Sequence, residues 1–242
     1  MSDRGPKEHR TVSRVTTILE TAAEAPRGVS LADLTTVLDA AKSSVHGLVK
    51  GLVATGYLQE HRGAYTLGPA IAMLPAPSRP AVLETARLSL EDIERQCEES
   101  VMLSMLVGDS VIYADIVESR HHIRYAAPLG VRRPLYPTSA GKCFLAYMTP
   151  TRRANYLRSR VPDEEERAEI QLELDEVRAV GYSTNRGQTV PDVYAVSSPI
   201  FVSDRVVGCL TAAGPSGRFE PKIPDIARLL KAECARLAQS RG

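Results

Sequence analysis

The chain has 242 residues, of which 43% are hydrophobic and 24% are charged, the balance of a globular protein with a buried core. Its formal net charge of +1 identifies no class of partner. No apolar run reaches the roughly 18–20 residues that cross a bilayer, and the N-terminus lacks the apolar segment of a signal peptide, so we expect a cytoplasmic protein. Four cysteines without a CxxC pair argue against zinc fingers and disulfide frameworks. We predict no metal and no cofactor.

Three helices are predicted in the N-terminal part of the chain. Apolar residues recur with the helical period from Arg10 to Ala25, and Pro26-Arg27-Gly28 ends this helix. Ser30, with Asp33 three residues later, predicts a capped second helix. The third helix is predicted from Lys42 to Val53, and its apolar stripe consists of Val45, Leu48, Val49, Leu52 and Val53.

Two short strands are predicted after these helices. Tyr57–Glu60 and Ala64–Leu67 alternate around His61-Arg62-Gly63, which is typical of a hairpin. Three helices followed by a hairpin predict a winged helix-turn-helix, whose recognition helix enters the major groove of DNA.

The candidate DNA-contacting residues follow from that arrangement. The hydroxyls at the start of the third helix, with His46, suit base edges, whereas basic side chains suit phosphates. We expect the hairpin tip to touch the DNA backbone or minor groove. The predicted DNA-binding residues are Arg14, Lys42, Ser43, Ser44, His46, Lys50 and Arg62. Taken one at a time, the short polar residues at 42–44 also fit a helix cap, and the basic residues also fit a solvated face.

Three prolines between residues 75 and 80 predict a linker, because proline cannot continue a helix. It divides a DNA-binding domain at 1–74 from a second domain at 81–242. Helices are predicted there at Val82–Ser100, Gly141–Tyr147, Ile170–Val180 and 224–239. Strands are predicted at Val101–Val107, Ser110–Val117, Val193–Phe201 and Arg205–Ala213, with Ile123–Pro128 extended and the charged stretch 152–166 a solvated loop. This order predicts an α+β domain with a mixed sheet.

Two stretches of the second domain are candidates for a small-molecule site. Pro137–Lys142 precedes a helix with small residues, which suits either tight packing or an anion at the helix N-terminus. Small and hydroxyl side chains on the late strands face one side with period two. They are Ala195, Ser197, Thr211 and Ala213, with Asn185 in the loop before them.

The sequence resembles the IclR-type transcription regulators in an ordered set of motifs from about residue 10 to 240. The set includes Leu31–Leu34, Lys42–His46, Gly56–Leu58, Tyr65–Gly68, Val111–Asp115, Leu129–Leu135, Thr138–Lys142, Gly181-Tyr182, Val207-Gly208 and Gly214-Pro215. The resemblance implies a winged-helix head, a GAF-like effector-binding body, and homodimers or homotetramers on operator DNA. It also implies an effector cavity for a small carboxylate or aromatic acid. Its predicted residues are Ser139, Ala140, Gly141, Asn185, Ala195, Ser197, Thr211 and Ala213.

The chain departs from the family pattern at several positions. Gly47 stands where the family usually has an arginine, the linker has three prolines where the family tends to run a helix, and the stretch around Gln188 and Asp192 differs. We therefore predict a ligand-responsive DNA-binding regulator, and not an enzyme. One alternative is a sensor that has lost specific DNA binding, for which Gly47 is the sign. The other is a GAF-like enzyme that uses Cys143 as its nucleophile.

Overall fold

The computed structural model describes residues 9–72, 74 and 81–239. The chain divides into two compact units, Met1–Pro77 and Ser78–Gly242. The linker predicted at 75–80 lies outside the described residues, so its bounds stay a prediction. Within the described ranges, no helix is both long enough and apolar enough to cross a membrane.

The N-terminal unit contains three helices and a small antiparallel sheet. In chain order the elements are α1 (Arg10–Glu24), β1 (Val29–Ser30), α2 (Leu31–Leu38), α3 (Lys42–Ala54), β2 (Leu58–His61) and β3 (Ala64–Leu67). The strands pair in the order β1-β3-β2. Ile18, Leu34, Val45, Val49 and Tyr65 form the centre of the core beneath the sheet and between the helices. The predicted winged helix-turn-helix is confirmed.

Local chemistry explains where these elements begin and turn. Ser30 and Asp33 form the predicted capping box at the start of α2: Ser30 Oγ accepts from Asp33 N, and the Asp33 carboxylate accepts from Ser30 N, both at 3.2 Å. The hydrogen bonds from Ser30 lower the pKa of Asp33. Arg62 and Gly63 both have positive φ (52° and 81°) and form a two-residue hairpin turn. His61 therefore belongs to β2, and not to the turn as predicted.

The C-terminal unit is built on a sheet of six strands. Its strands are β4 (Ser100–Val107), β5 (Ser110–Val117), β6 (Arg133–Pro134), β7 (Ser183–Arg186), β8 (Val193–Val202) and β9 (Arg205–Pro215). Its helices are α4 (Ala81–Cys97), α5 (Ser139–Tyr147), α6 (Pro150–Arg160), α7 (Glu164–Val180), α8 (Ser216–Phe219) and α9 (Ile223–Gln239). The strand order is β6-β5-β4-β9-β8-β7. The α+β class is confirmed, and all neighbouring pairs among the described strands are antiparallel.

Alternating side chains give this sheet two buried faces. Val101 and Leu103 belong to the core shared with α4 and α9. Met102, between them, points to the opposite face and joins the core of α5, α6 and α7. Helices cover both faces, so buried polar groups on either face of the sheet need hydrogen-bond partners within the protein.

Three sequence predictions about this unit are wrong. The charged stretch predicted as a loop forms α6 and the first turn of α7. Asp163 caps α7 by accepting from Glu166 N at 2.8 Å. Acidic residues in the first turn also stabilise α7 by interacting with the positive end of the helix dipole. Asn185 lies in strand β7, not in a loop. The segment predicted as extended, Ile123–Pro128, has no regular secondary structure, and β6 follows it.

Candidate functional site

The outer face of α3 is the candidate DNA-binding surface. Val45, Val49 and Leu52 bury the inner side of α3. The predicted contact residues on the helix are all exposed: Lys42, Ser43, Ser44, His46 and Lys50. The helix α3 thus has one buried apolar side and one exposed polar side, which is accessible to DNA.

Two side-chain contacts tie this face to the rest of the N-terminal unit. Arg14 Nη1 on α1 donates to Ser44 Oγ at 3.4 Å. Lys50 Nζ lies 2.8 Å from Glu60 Oε2 on β2, and this hydrogen bond raises the pKa of Lys50. Arg62 is exposed at the tip of the hairpin. The structure therefore brings Arg14 to the start of the recognition helix and Lys50 to the wing, whereas the role of each in DNA contact stays a prediction.

Sequence reasoning missed Glu60 as the partner of Lys50, since ten residues separate them and they lie on different elements. Both side chains are partly exposed, so water and salt screen the attraction between them. A DNA phosphate would compete with Glu60 for the same ammonium group. Lys50 is thus available for a phosphate contact, provided that it leaves its carboxylate partner.

A cavity of about 380 Å³ lies on the face of the C-terminal sheet that packs against α5, α6 and α7. This face is called the inner face below. Strands from both edges of the sheet, the turn before α5, and the segment after β7 line it. The lining residues are Tyr113, Tyr125, Arg133, Pro134, Pro137, Thr138, Ser139, Asn185, Gln188, Thr189, Val190, Val193, Ala195 and Ala213. Apolar side chains and a few polar groups make this wall typical of a small-molecule site.

Half of the eight predicted effector residues line this cavity: Ser139, Asn185, Ala195 and Ala213. The strand register explains part of this grouping, because Ala195 lies opposite both Asn185 and Ala213. Ala140, Gly141, Ser197 and Thr211 are buried and are not among the lining residues. Sequence reasoning missed Arg133, Tyr113 and Tyr125 as part of the wall, although β5 was predicted.

The two buried hydroxyls, Ser197 and Thr211, belong to a hydrogen-bond chain behind the wall. Ser197 Oγ donates to Ser139 Oγ at 2.8 Å and lies 2.8 Å from Thr211 Oγ1. Ser104 Oγ lies 2.9 Å from the same Thr211 oxygen. Since Ser197 gives its hydrogen to Ser139, Thr211 must donate to Ser197, and Ser104 to Thr211. The chain fastens α5 to the sheet and ends at a serine that faces the cavity.

Gly141 has a packing role that the sequence did not reveal. A Cβ at this position would lie 1.8 Å from the Leu135 carbonyl oxygen, so the glycine lets the backbone before α5 pass close to the helix. Thr138 caps α5 by accepting from Gly141 N at 3.2 Å. Gly141 thus has an intramolecular packing role, and its contact with an effector stays a prediction.

A buried cation lies next to the cavity without facing it. Lys142 is 1% exposed, and its Nζ donates to Glu173 Oε1 at 2.6 Å, Gln188 Oε1 at 2.6 Å and Thr184 O at 3.0 Å. Its charge is paired with the Glu173 carboxylate. Lys142 therefore holds Gln188 in the cavity wall, and its charge is already compensated within the protein.

None of the cysteines lines the cavity in the described part of the chain. All four are buried. Cys143 is fully buried, and its Sγ donates to Ser197 O at 3.3 Å instead of lining the cavity. Burial raises the pKa of Cys97 to about 11 and that of Cys234 to about 12, which disfavours the thiolate. Over the described residues, no cluster of three or more His, Cys, Asp or Glu could hold a metal ion.

A wider groove of about 510 Å³ runs along α9, where Gln96, Cys97, Lys222 and Arg228 contribute to it. Lys222 in this groove already donates to Cys97 O at 3.0 Å and lies 3.6 Å from a Glu99 carboxylate oxygen. The groove contains none of the predicted effector residues. We therefore regard the smaller cavity on the inner face of the sheet as the candidate effector site.

Both units match domains of a known protein family. Residues 11–62 match the IclR helix-turn-helix domain, and residues 76–238 match the C-terminal domain of the bacterial transcriptional regulator IclR. The HTH-type transcriptional regulator Rv1719 of Mycobacterium tuberculosis is 26% identical over 92% of this chain and 89% of its own length. The HTH-type transcriptional regulator KdgR of Escherichia coli is 24% identical over 99% of this chain and 95% of its own length.

Solved structures share the fold. An IclR family transcriptional regulator from Brucella abortus matches with a TM-score of 0.76 at 22% identity, over 99% of this chain and 95% of that one. An IclR homolog from Microbacterium hydrocarbonoxydans, complexed with 4-hydroxybenzoate, matches with a TM-score of 0.74 at 19% identity, over 94% and 97%. Because the two family domains together span most of the sequence, the chain belongs to the IclR family of bacterial transcriptional regulators.

Proposed function

We propose that this regulator binds operator DNA through α3 and the β2–β3 wing, and that a small carboxylate or aromatic acid in the cavity modulates this binding. Residues 1–74 are the DNA-binding domain and 81–242 the effector-binding and oligomerisation domain. The protein acts in the cytoplasm as a homodimer or homotetramer. It does no chemistry on its effector.

Two separate candidate surfaces in one chain support this proposal. The N-terminal unit leaves the polar side of a recognition helix exposed, and the C-terminal unit has a cavity lined by half of the predicted effector residues. The 4-hydroxybenzoate bound by the Microbacterium homolog is a ligand of the proposed class. A sensor with an output on DNA needs both surfaces.

The mechanism follows from linkage between the two sites. An effector that binds two arrangements of the oligomer with unequal affinity shifts the population toward the one that it prefers. If these arrangements differ in operator affinity, the effector changes DNA binding by no more than its own affinity difference. Paired heads on a symmetric oligomer require an operator of two half-sites, one or more helical turns apart.

The test is binding of the full chain to its own promoter region and to unrelated DNA at about 50 and 200 mM salt, where phosphate contacts make affinity fall steeply. We expect selective binding that weakens steeply with salt and that at least one small carboxylate alters. Equal affinity for promoter and unrelated DNA, repeated on other promoters, would contradict the DNA-binding half of the proposal.

Replacing Lys42 and Lys50 together by alanine is expected to weaken binding to every DNA sequence. Each lysine that contacts a phosphate contributes about 1 to the slope of log affinity against log salt, so the double variant should lose about 2. Fluorescence anisotropy at several salt concentrations measures this slope. Arg205→Ala, an exposed arginine at the start of β9, is the control and should leave the slope unchanged. An unaltered slope in the double variant would remove both lysines from the DNA contact.

Substitution of Gly47 tests the alternative in which specific DNA binding has been lost. A Cβ at Gly47 or Gly51 meets nothing within 4 Å among the described residues, so Gly47→Ala and Gly51→Ala should each stabilise α3 by about 1 kcal/mol. Gly47→Arg should, in addition, raise operator affinity and steepen the salt slope. Anisotropy titrations and thermal unfolding separate the two effects. If Gly47→Arg bound DNA no more tightly than Gly47→Ala, this position would lie away from the DNA.

A further inference from the structure

The cavity wall contains one uncompensated positive charge. Arg133 on β6 is the only charged residue that lines the cavity in the described part of the chain, and no described Asp or Glu lies within ion-pair distance of it. The neighbouring cation, Lys142, is paired with Glu173 and does not line the cavity. The cavity wall therefore carries a positive charge at β6.

Arg133 is held in place by neutral partners. Its guanidinium carbon lies 4.2 Å from the centroid of the Tyr113 ring, a cation–π contact. Nη1 donates to Val131 O at 2.8 Å and Nη2 donates to Pro128 O at 3.2 Å. These contacts fix the plane of the guanidinium without cancelling its charge. Arginine has five N–H donors in total, so several remain for a ligand.

The tyrosine beneath Arg133 also stays neutral. Burial, followed by interaction with Tyr125, raises the pKa of Tyr113 well above its usual range. Tyr113 therefore offers Arg133 an aromatic face and no negative charge at any physiological pH. Arg133 therefore has neutral contacts and no anionic partner among the described residues.

The remaining polar groups of the wall favour an acceptor as ligand. Ser139 Oγ accepts from Ser197, so its own hydrogen is left to donate. The two side-chain amide oxygens of the wall are already used, because Asn185 Oδ1 accepts from Gln188 N and Gln188 Oε1 accepts from Lys142 Nζ. Val193, Ala195 and Ala213 supply apolar surface. The wall thus combines one cation, a serine hydroxyl that can donate, and apolar surface.

We propose that Arg133 selects the effector by its charge, and that the effector is a small acid with a single carboxylate on an apolar body. This rests on the proposed function, of which it specifies the ligand class. The guanidinium receives the carboxylate and the body lies against the apolar residues. A neutral amide would leave Arg133 uncompensated, and a second carboxylate would meet no cation in the wall and would be desolvated without a partner.

The experiment is calorimetric titration of the full chain, without DNA, with three ligands of one shape: 4-hydroxybenzoate, 4-hydroxybenzamide and terephthalate. We expect 4-hydroxybenzoate to bind at least about tenfold more tightly than the other two, as a charge-assisted hydrogen bond implies. Arg133→Leu should abolish this preference. The control, Arg132→Leu, removes a neighbouring arginine that does not line the cavity and should keep it.

Each other outcome overturns the inference. It fails if 4-hydroxybenzoate does not bind the natural chain, if the amide or the dicarboxylate binds equally well, or if Arg133→Leu retains the preference while circular dichroism shows a folded protein. Failure of the proposed function is a separate result. The acid could bind through Arg133 and leave operator affinity unchanged, or the chain could bind its promoter selectively while no acid in this set binds.

Discussion

Replacing Gly141 by alanine is expected to destabilise the C-terminal unit by about 3 kcal/mol, the upper part of the usual range for overpacking. The added Cβ would lie 1.8 Å from the Leu135 carbonyl oxygen and 2.4 Å from the Leu135 carbonyl carbon. Both atoms belong to the backbone, so the clash is relieved only if the chain before α5 moves. Thr138, which caps α5 and donates to Leu135 O at 2.8 Å, would move with it.

Differential scanning calorimetry of the full chain measures this loss as a lower unfolding temperature. Gly217→Ala is the matched control, because a Cβ at Gly217 meets nothing within 4 Å among the described residues. We expect the control to leave the protein as stable as before or to stabilise it by up to about 1 kcal/mol, since alanine is favoured over glycine in a helix. Equal stability of the two variants would contradict the close packing of Leu135 on Gly141. A weakened effector site in folded Gly141→Ala protein would be a consequence of the moved backbone.

Arg218→Met is the second substitution with a large expected effect. Glu99 is fully buried, and its two carboxylate oxygens accept from Arg218 Nε at 2.7 Å and Nη2 at 2.8 Å. Lys222 is the other cation nearby, at 3.6 Å. Removal of Arg218 leaves a buried carboxylate with one weaker partner. We expect the free energy of unfolding to fall by about 3 kcal/mol, the lower end of the range for a broken buried ion pair, because Arg218 itself is 29% exposed.

The control for Arg218 is Arg228→Met on α9, which breaks an ion pair with Asp225 in which both side chains are about three-quarters exposed. Such surface pairs contribute between 0 and about 1 kcal/mol. Urea unfolding compares the stability of the two variants. Circular dichroism is the signal to follow, because the chain has no tryptophan for fluorescence. If the two variants lost the same stability, the bidentate pair at Glu99 would contribute no more than a solvated one.

Most of the fold followed from periodicity and caps. The stripe that begins at Val45 predicted α3, and Ser30 with Asp33 predicted the start of α2. The strands predicted at Val101–Val107 and Ser110–Val117 correspond to β4 and β5. These signals act between residues close in sequence. The charged helix α6 was missed because its buried side is small: Arg153, Tyr156 and Leu157 are its only buried residues.

The candidate site was harder to predict, because it depends on contacts between distant segments. Period-two spacing grouped Ala195 with Ala213, which the register places opposite each other. The same pattern gave Ser197 and Thr211, whose hydroxyls are used by Ser139 and Ser104 inside the protein. Arg133 lies on a strand of two residues, too short to predict by alternation. Its stacking on Tyr113 joins residues twenty positions apart, and no local signal predicts that pairing.

Anisotropy titration of promoter DNA with the full chain tests whether the effector and operator sites are coupled. The titration is made at one salt concentration, with and without each of a set of small monocarboxylates that includes 4-hydroxybenzoate. We predict that at least one acid changes operator affinity by about 5-fold to 150-fold, the usual span of coupling between two sites. By linkage, operator DNA should change the affinity for that acid by the same factor. If operator binding were selective but stayed unchanged at saturating concentrations of an acid that calorimetry shows to bind, the two sites would not be coupled.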